Sequence, residues 1–478
     1  MNQAGVQAAA PRQGSANAVL LSLSLAVLLS SLGTSIANVA LPTLAEMFAA
    51  SFQQVQWVVI AYLLAATALT VSVGRLGDMF GGRRLLLGGI ALFTIASLCS
   101  ATAPSLGLLI AARAVQGIGA AIMLTVALAL VSAAIPAGKA GRAIGLLGAM
   151  SAVGTALGPS LGGALVEALG WRSIFLASAG GGAIALVLAQ THLPVDPARS
   201  PRGVMRFDAA GMLLLTAALI GYALAMTIGR GSFGIANIGL LSAAVALAAL
   251  FLSVEARAAS PLLRLSMFRD RRLTLNLAST LGVAAVIMAT LVVGPFYLAR
   301  GLHLSPLAVG LVMSVGPAVV ALSSVPAGRM ADGAEAQRMI GGGLACMTLG
   351  CVAFAAAGAR FGLAGYVAPL ALTTFGYSLF QTANNKLLME RARPDEKGLV
   401  SGMLSLARNL GLVTGATVMA AVFASASGAA DPAHASADAV IAGMRATFAI
   451  AGILAFGALL AGICGDTSQG RESRPFCN

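Results

Sequence analysis

The chain has 478 residues, of which 58% are hydrophobic and only 9% are charged, and its mean hydropathy is +0.92. Because soluble domains carry roughly 25% charged residues, this composition excludes an ordinary soluble protein and predicts a polytopic membrane protein. The net charge is +13, but aromatic residues make up only 5% and the basic residues lie between apolar runs. We therefore expect the lipid bilayer, and no nucleic acid, as the surroundings of this chain.

Fourteen apolar stretches are each long enough for a membrane-spanning helix, which needs ~20 predominantly apolar residues. With the internal repeat described below, they predict an all-α polytopic membrane protein with two six-helix bundles and two inserted central helices. The predicted units are a cytoplasmic N-terminal tail (1–17), an N-terminal bundle (18–190), a cytoplasmic linker (191–209), the inserted pair (210–254), a C-terminal bundle with its preceding loop (255–464) and a cytoplasmic tail (465–478).

The basic residues predict how the spans are oriented. Most of the 29 lysines and arginines fall in alternate connections, and connections rich in Lys and Arg stay on the cytoplasmic side. This asymmetry predicts an even number of spans with both termini in the cytoplasm, in a bacterial-type inner membrane. The opposite connections hold only Arg172, Arg230, Arg300, Arg360 and Arg445.

The connection after the second span carries the motif Gly74-Arg-Leu-Gly-Asp78, and a similar motif, Gly328-Arg-Met-Ala-Asp332, follows the tenth span. Parallel repeated halves are a known transporter architecture. We expect the glycines to allow a tight turn and Asp78 to cap the next helix, although an ordinary basic loop is the alternative. The residues predicted to shape this conformational loop and its repeat are Gly74, Gly81, Arg83 and Asp332.

The fourth span contains an arginine, Arg113, followed one turn later by Gln116. An arginine inside a transmembrane helix costs at least ~2.5 kcal/mol on insertion scales, so Arg113 is a candidate for a functional site. The alternative is that Arg113 lies close enough to the inner face for its guanidinium to extend to the membrane surface.

Three glycines of the fifth span, Gly154, Gly158 and Gly162, recur every four residues. This spacing clears one helix face of side chains, so that another backbone can approach closely. Pro159 frees the carbonyl four residues earlier, which a packed neighbour or cavity water can satisfy. The stretch is either a small-residue packing face or a pliable helix between two halves of a transporter.

These motifs, in this order, resemble those of the major facilitator superfamily, and more narrowly its fourteen-span drug:proton antiporter branch of multidrug efflux type. G-x-L-x-D-x-x-G-x-[KR] matches residues 74–83, R-x-x-Q-G-x-G-A-A matches 113–121, and G-x-x-x-G-P-x-x-G-G matches 154–163. The resemblance implies the major facilitator fold and a role in export. The residues that it implies for transport or coupling are Asp78, Arg113, Gln116, Gly154, Gly158, Pro159, Gly162 and Gly163.

One position departs from the family pattern. Family members usually carry an Asp, credited with proton or cation handling, where this chain has Gly33, and no Asp, Glu or His of this sequence falls at mid-membrane. Coupling could instead use a boundary acid, with Asp78 near Arg113 as the candidate. Alternatively, the substrate moves under its own gradient without protons. A cavity with Arg113 and Arg408 and no acid would favour neutral or anionic substrates.

Polar and aromatic residues on the inward faces of each half are candidates for a substrate cavity. A buried amide without a partner is costly, so an Asn or Gln at these positions must meet another helix, water or substrate. The alternative for each of them is an interhelical hydrogen bond worth ~0.6 kcal/mol. The cavity candidates are Thr34, Asn38, Tyr62, Met150, Phe296, Tyr377, Gln381, Asn385 and Arg408.

The predicted function is secondary active efflux of drugs or other small organic molecules by alternating access, with proton antiport as the expected coupling. The alternatives are a dedicated exporter of one neutral or anionic metabolite without proton coupling, and a non-transporting membrane sensor on the same fold. No stretch combines a nucleophile with a base, a phosphate loop or metal-ligand spacing, so we expect no enzyme, cofactor or metal. The expected partners are a small-molecule substrate and protons, and the expected oligomeric state is a monomer.

Overall fold

The computed structural model of the chain describes residues 13–134, 137–194, 209–228, 234–257, 265–330, 335–356, 361–391, 397–428 and 435–467. Every regular element in these ranges is a helix, as the composition predicts. Most of the predicted linker and much of the two predicted tails lie outside the described residues.

The first six helices form one bundle, and each is long enough to cross a bilayer. The first helix packs against the fifth and sixth, the fourth against the second and third, and the third against the sixth. The bounds are α1 (Gln13–Met47), α2 (Phe52–Phe80), α3 (Gly82–Ala101), α4 (Leu106–Ala134), α5 (Ala137–Leu169) and α6 (Arg172–His192).

The rest of the chain contains the two inserted helices and a second bundle. A 3-10 helix (Leu265–Arg269) precedes the second bundle, and two π-helical turns (Tyr297–Gly301 and Gly415–Met419) interrupt it. The bounds are α7 (Ala209–Thr227), α8 (Ile235–Glu255), α9 (Arg271–Phe296), α10 (Pro306–Met330), α11 (Glu335–Ala356), α12 (Ala364–Arg391), α13 (Lys397–Thr414), α14 (Ala420–Ala426) and α15 (Ala437–Thr467).

The second bundle repeats the helix pairings of the first. The helix α9 packs against α13 and α15, α12 packs against α10 and α11, and α11 packs against α15. The short helix α14 continues α13 through the π-helical turn, so the two act as one span. We refer to α1–α6 as the N-half and to α9–α15 as the C-half.

Thirteen helical segments of the described ranges are long and apolar enough to cross a membrane. They correspond to thirteen of the fourteen predicted spans, and the remaining span is α12. This helix has 28 residues, which is ample length, but the polar run from Gln381 to Lys386 lowers its hydropathy. Its packing against α10 and α11 places it as α4 is placed in the N-half.

The inserted helix α7 contacts both halves. The Trp57 indole of α2 donates a hydrogen bond to the Thr227 hydroxyl of α7 (3.2 Å), and the Tyr222 hydroxyl of α7 bonds to the Thr414 hydroxyl of α13 (3.2 Å). The helix α8 packs against α7 and keeps an apolar outer face, on which Ile235 is 91% exposed. The inserted pair therefore covers the seam between α2 and α13.

The connection between α2 and α3 is a single residue, Gly81, whose φ of +91° is favourable only for glycine. The predicted basic loop is therefore mostly helical, because α2 continues to Phe80 with Gly74 in its interior. Asp78 lies in the last turn of α2, and Gly81 occupies the N-cap position of α3.

Arg83, at the start of α3, forms a hydrogen bond within the N-half. Its Nη2 donates a hydrogen bond to the carbonyl oxygen of Gln190 near the end of α6 (2.8 Å). This bond ties two helices of the N-half together. The side chain of Asp78 and the whole of Asp332 lie outside the described residues.

The helix α5 packs against α1 through its glycines. A Cβ added at Gly154 would overlap the carbonyl oxygen of Leu28. One at Gly158 would overlap the hydroxyl of Ser35, and Gly162 approaches α1 in the same way. Only glycine allows the two backbones to come this close.

Gly154→Ala is expected to destabilise the N-half, because the added methyl group meets backbone that cannot move aside. We expect a loss of about 1–3 kcal/mol, measured as a lower thermal unfolding midpoint of the purified protein in detergent. Gly148→Ala is the matched control, since a Cβ at Gly148 of the same helix meets no atom within 4 Å. Equal midpoints for the two variants would contradict the close contact.

Candidate functional site

The guanidinium of Arg113 is enclosed by the N-half, and the residue is 0% exposed. Its Nε donates a hydrogen bond to the Val58 carbonyl of α2 (3.0 Å), and its Nη2 donates to the Gly33 carbonyl of α1 (2.9 Å). Its Nη1 donates to the side-chain oxygen of Gln116, one turn along α4. The side chain therefore does not extend to the membrane surface; it joins α1, α2 and α4.

The ring of Tyr62 covers this guanidinium. The Cζ atom of Arg113 lies 4.3 Å from the centroid of the Tyr62 ring, which is within the range of a cation–π interaction. The Tyr62 hydroxyl donates to the Ser30 carbonyl (2.8 Å), and the Gln116 amide donates to the Ser97 hydroxyl (2.7 Å). We call Gly33, Val58, Tyr62, Arg113 and Gln116 the Arg113 cluster.

Gly33 of this cluster is the position at which the family pattern has an Asp. A Cβ added at Gly33 would lie 3.0 Å from the Tyr62 hydroxyl oxygen and 3.2 Å from Cε2 of Phe93. A larger side chain would therefore have to displace the ring that covers the guanidinium. Among the described residues, Arg113 forms no ion pair with a carboxylate, so neutral acceptors and an aromatic face surround its charge.

The two halves meet at one end of the bundle. Phe52 of α2 packs edge-on against Phe296 of α9, with ring centroids 4.6 Å apart, and its ring lies 5.1 Å from that of Phe423 in α14. All three residues are 0% exposed. We call this the closed end: α1, α5, α9 and α14 finish there, and α2 and α10 begin there.

At the closed end, α5 of the N-half also contacts α10 of the C-half. A Cβ at Gly163 would overlap the carbonyl oxygen of Pro306, and one at Gly310 would overlap the carbonyl oxygen of Pro159. Residues 154–163 of α5 thus pack against α1 of their own half through Gly154, Gly158 and Gly162. They pack on the other half through Pro159 and Gly163.

Two carboxylates of the N-half bond to the C-half at the closed end. Glu46 forms an ion pair with Arg300. Glu167 accepts a hydrogen bond from the backbone N–H of Leu307 (2.9 Å), in the first turn of α10, where a negative charge is favourable. Both contacts join the halves directly.

A cavity of about 300 Å³ lies between α9, α12 and α13, towards the end of the C-half opposite the closed end. It is lined by the predicted residues Tyr377, Gln381, Asn385 and Arg408, together with Asn384. The structure therefore brings the four polar cavity candidates of the C-half together.

The other cavity candidates do not line this cavity. Tyr62 belongs to the Arg113 cluster and Phe296 to the closed end, and both are enclosed by protein. Asn38 is buried in α1, where its amide donates to the carbonyl of Thr34 (3.2 Å). Met150 of α5 is half-buried.

The expectation that Arg113 and Arg408 share one cavity does not hold in this structure. Arg113 is enclosed because two backbone carbonyls and the Gln116 side chain take up its donors. Arg408 is exposed and lines the cavity of the C-half.

Sequence reasoning missed Glu167 and Gly310 as contacts between the halves. Glu167 has one signal in the sequence, since it follows Gly163 by four residues and so lies on the same helix face. Gly310 has none, because a single glycine in an apolar span does not show which helix it faces.

Comparison with known proteins agrees with this architecture. The family model described as Major Facilitator Superfamily matches residues 23–416 and, separately, residues 275–470. The chain belongs to the major facilitator superfamily. Its relatives within the superfamily include drug efflux transporters, and it is a transporter rather than an enzyme.

Several relatives match along most of the chain, and two of them are described here. The riboflavin transporter RibZ of Clostridioides difficile is 32% identical over 85% of this chain and 88% of its own length. The drug efflux pump JefA of Mycobacterium tuberculosis is 34% identical over 88% of this chain and 82% of its own length. A crystal structure of a bacterial homologue of the lysosomal transporter Spinster shares the fold, with a TM-score of 0.70 at 15% identity, over 95% of this chain and 98% of that one.

Arg113→Ala is expected to abolish transport and to destabilise the N-half. The substitution removes the bonds that join α1, α2 and α4, and bonds to a charged group are worth about 1.5–3 kcal/mol each. Thermal unfolding in detergent and efflux from cells with equal amounts of membrane-inserted protein measure the two effects. Arg172→Ala is the control, because that guanidinium is exposed and lies over the ring of Trp171. Normal stability and efflux in Arg113→Ala would contradict the role of the cluster.

Proposed function

We propose that this chain is a secondary active exporter of small organic molecules that works by alternating access. The observation that carries this proposal is the asymmetry of the structure. The two halves are packed together at the closed end, while the polar cavity of the C-half lies towards the opposite end. A carrier that exposes one site to each side in turn needs a conformation of this kind.

The proposed membrane orientation follows from the basic residues. The connections of the closed end are those with few arginines, so this end is proposed to face away from the cytoplasm, with both termini in the cytoplasm. The cavity would then face the cytoplasm, from which an exporter takes its substrate. The Spinster homologue of the same fold is described as inward-facing and unoccupied. The proposed location is a bacterial inner membrane, and the proposed state is a monomer.

Proton antiport, as in the drug:proton antiporter branch, is the coupling that we propose first. Asp78 is the candidate acid, because it lies in the last turn of α2, at the end away from Phe52. The other transport residues implied by the family pattern have structural positions that suit such a cycle. Gln116 supports Arg113 inside the N-half, and the glycines of α5 lie at both of its packing faces.

A second candidate function is export of one neutral or anionic metabolite without proton coupling. It is favoured by the Arg113 cluster, where the family's usual acid is replaced by Gly33 and Tyr62 packs in its place. One relative, RibZ, is named for transport of a single metabolite, and another, JefA, for drug efflux.

One experiment separates these two functions. Purified protein is reconstituted in liposomes with an internal pH dye, and labelled candidate compounds are followed together with proton flux. Substrate movement with proton counter-flux that Asp78→Asn removes supports the antiporter. Movement without proton flux supports the metabolite exporter, and no movement of any compound contradicts both.

Gly310→Ala is expected to hinder formation of the closed end, since its methyl group would overlap the carbonyl oxygen of Pro159. An added cost of about 1–3 kcal/mol shifts the ratio of the two conformations by a factor of roughly 5 to 140. A cysteine in place of Phe52, which is enclosed at the closed end, should then react faster with a polar maleimide, and efflux should slow.

Gly328→Ala, made with the same reporter cysteine, is the control for this prediction. Gly328 lies on the same helix, and a Cβ there meets no atom within 4 Å. If Gly310→Ala and Gly328→Ala label and transport alike, the contact between α5 and α10 is not part of the transport cycle.

A further inference from the structure

The cavity of the C-half contains a cation without a counter-ion. Among the described residues, Arg408 of α13 is the one charged residue of the lining, which contains no Asp or Glu. Within the described ranges, Arg408 forms no ion pair. An arginine in a membrane-spanning helix that lines a cavity is a candidate for binding an anion, because its guanidinium offers a positive charge and several N–H donors to a molecule that enters the cavity.

The same cavity contains an amide that lacks a partner. Asn384 of α12 is 1% exposed, and its Nδ2 donates a hydrogen bond to the Thr280 hydroxyl of α9 (3.0 Å). Its Oδ1 is buried and has no partner among the described residues. An unsatisfied buried acceptor destabilises a protein unless a ligand or water supplies the donor.

The hydrogen bonds of Thr280 fix which atom of the amide is free. The Thr280 hydroxyl donates its proton to the carbonyl of Asn276, one turn earlier (2.8 Å). With its proton on that carbonyl, Thr280 accepts from the amide nitrogen of Asn384, and this assignment leaves the amide oxygen as the unpartnered atom. The cavity is thus lined by a donor-rich cation and by an amide whose oxygen has no partner among the described residues. That oxygen is buried in the wall, so a ligand reaches it only by shifting the Asn384 side chain.

We propose that this cavity binds a small organic anion that also carries a hydrogen-bond donor. The acid group of the ligand bonds to the Arg408 guanidinium, and its N–H or O–H donates to Oδ1 of Asn384. Gln381 and Asn385, one turn or less from Asn384 on α12, supply further amide contacts. This inference rests on the proposed function, because it names the substrate class of the same site.

The charge of the cavity also predicts what it rejects. A cationic compound of the same shape would meet Arg408 with no carboxylate in the lining to offset the repulsion. A neutral analogue would fill the cavity but leave the guanidinium without an anionic partner. The expected order of affinity is therefore anion, then neutral compound, then cation.

The first test uses three probes of nearly equal shape: para-hydroxybenzoate, para-hydroxybenzamide and para-hydroxybenzamidine. Their binding to the purified full-length protein is measured by ligand-dependent shifts of the thermal unfolding midpoint, which needs no transport. We expect para-hydroxybenzoate to bind about tenfold more tightly than the amide, and the amidine to bind most weakly. Arg408→Gln should remove the preference for the anion.

Arg445→Gln is the matched control for that variant. Arg445 also lies in the C-half, but its Nε donates to the carbonyl of Ala355 (2.9 Å) and it does not line the cavity. This variant should keep the preference for the anion. An anion preference that survives in Arg408→Gln, equal binding of all three probes, or no binding of any probe would overturn the proposal.

The second test concerns the donor and uses the unmodified protein first. Replacing para-hydroxybenzoate by para-methoxybenzoate removes the donor while keeping the acid group, and it should weaken binding severalfold. In Asn384→Leu the two probes should bind alike. If the methoxy compound binds the unmodified protein as well as the hydroxy compound does, the assignment of Oδ1 is wrong.

These binding tests can be separated from a failure of the proposed function. If the anion binds with the expected preference but no labelled compound leaves the liposomes, the cavity assignment stands and the transport function fails. If efflux occurs but charge and donor do not affect binding, transport stands and the cavity assignment fails.

Discussion

Backbone-to-backbone packing along α5 is the contact on which the rest of the structure depends. Its glycines bring α5 against α1 of the N-half, and Gly163 with Pro159 brings it against α10 of the C-half. A helix with ordinary side chains would hold its neighbours 8–10 Å away. The absence of side chains along two faces lets one helix serve both as part of a bundle and as the surface on which the other bundle closes.

The Arg113 cluster and the C-half cavity show two ways of accommodating an arginine in a membrane. In the cluster, carbonyls, an amide and an aromatic ring satisfy Arg113 without an acid, and the side chain acts as a link between helices. In the cavity, Arg408 is left without such partners and lines space that a ligand can enter. The first environment makes Arg113 a link between helices, and the second is the reason for proposing that Arg408 binds a ligand.

Much of the fold follows from the sequence because length, apolar runs and charge asymmetry are properties of single segments. Less of the candidate site can be predicted from the sequence. The pairing of Arg113 with Gln116 is visible at helical spacing, but the carbonyls of Gly33 and Val58 come from other helices, and nothing in the sequence assigns them. The polar residues from Gln381 to Lys386 predict a cavity-lining face on α12. The same residues lower the mean hydropathy of α12, so this helix is not among the segments apolar enough to be recognised as membrane-spanning.

The two seams between the halves are not equivalent, although the halves repeat each other. The seam of α5 and α10 closes through bare backbone, while the symmetry-related seam of α2 and α13 is covered by α7, which bonds to both helices through Trp57 and Tyr222.

The closed end also buries amide atoms that have no hydrogen-bond partner among the described residues, namely Oδ1 of Asn38 in α1 and, in α2, Oε1 and Nε2 of Gln53 and Nε2 of Gln56. Each such group costs about 1–3 kcal/mol while it is buried and regains its hydrogen bonds once water reaches it. Close packing therefore stabilises the conformation in which this end is closed, and the unpartnered amide atoms destabilise it. A carrier needs the two effects to offset each other, because a conformation favoured by more than about 5 kcal/mol would leave its alternative almost unpopulated.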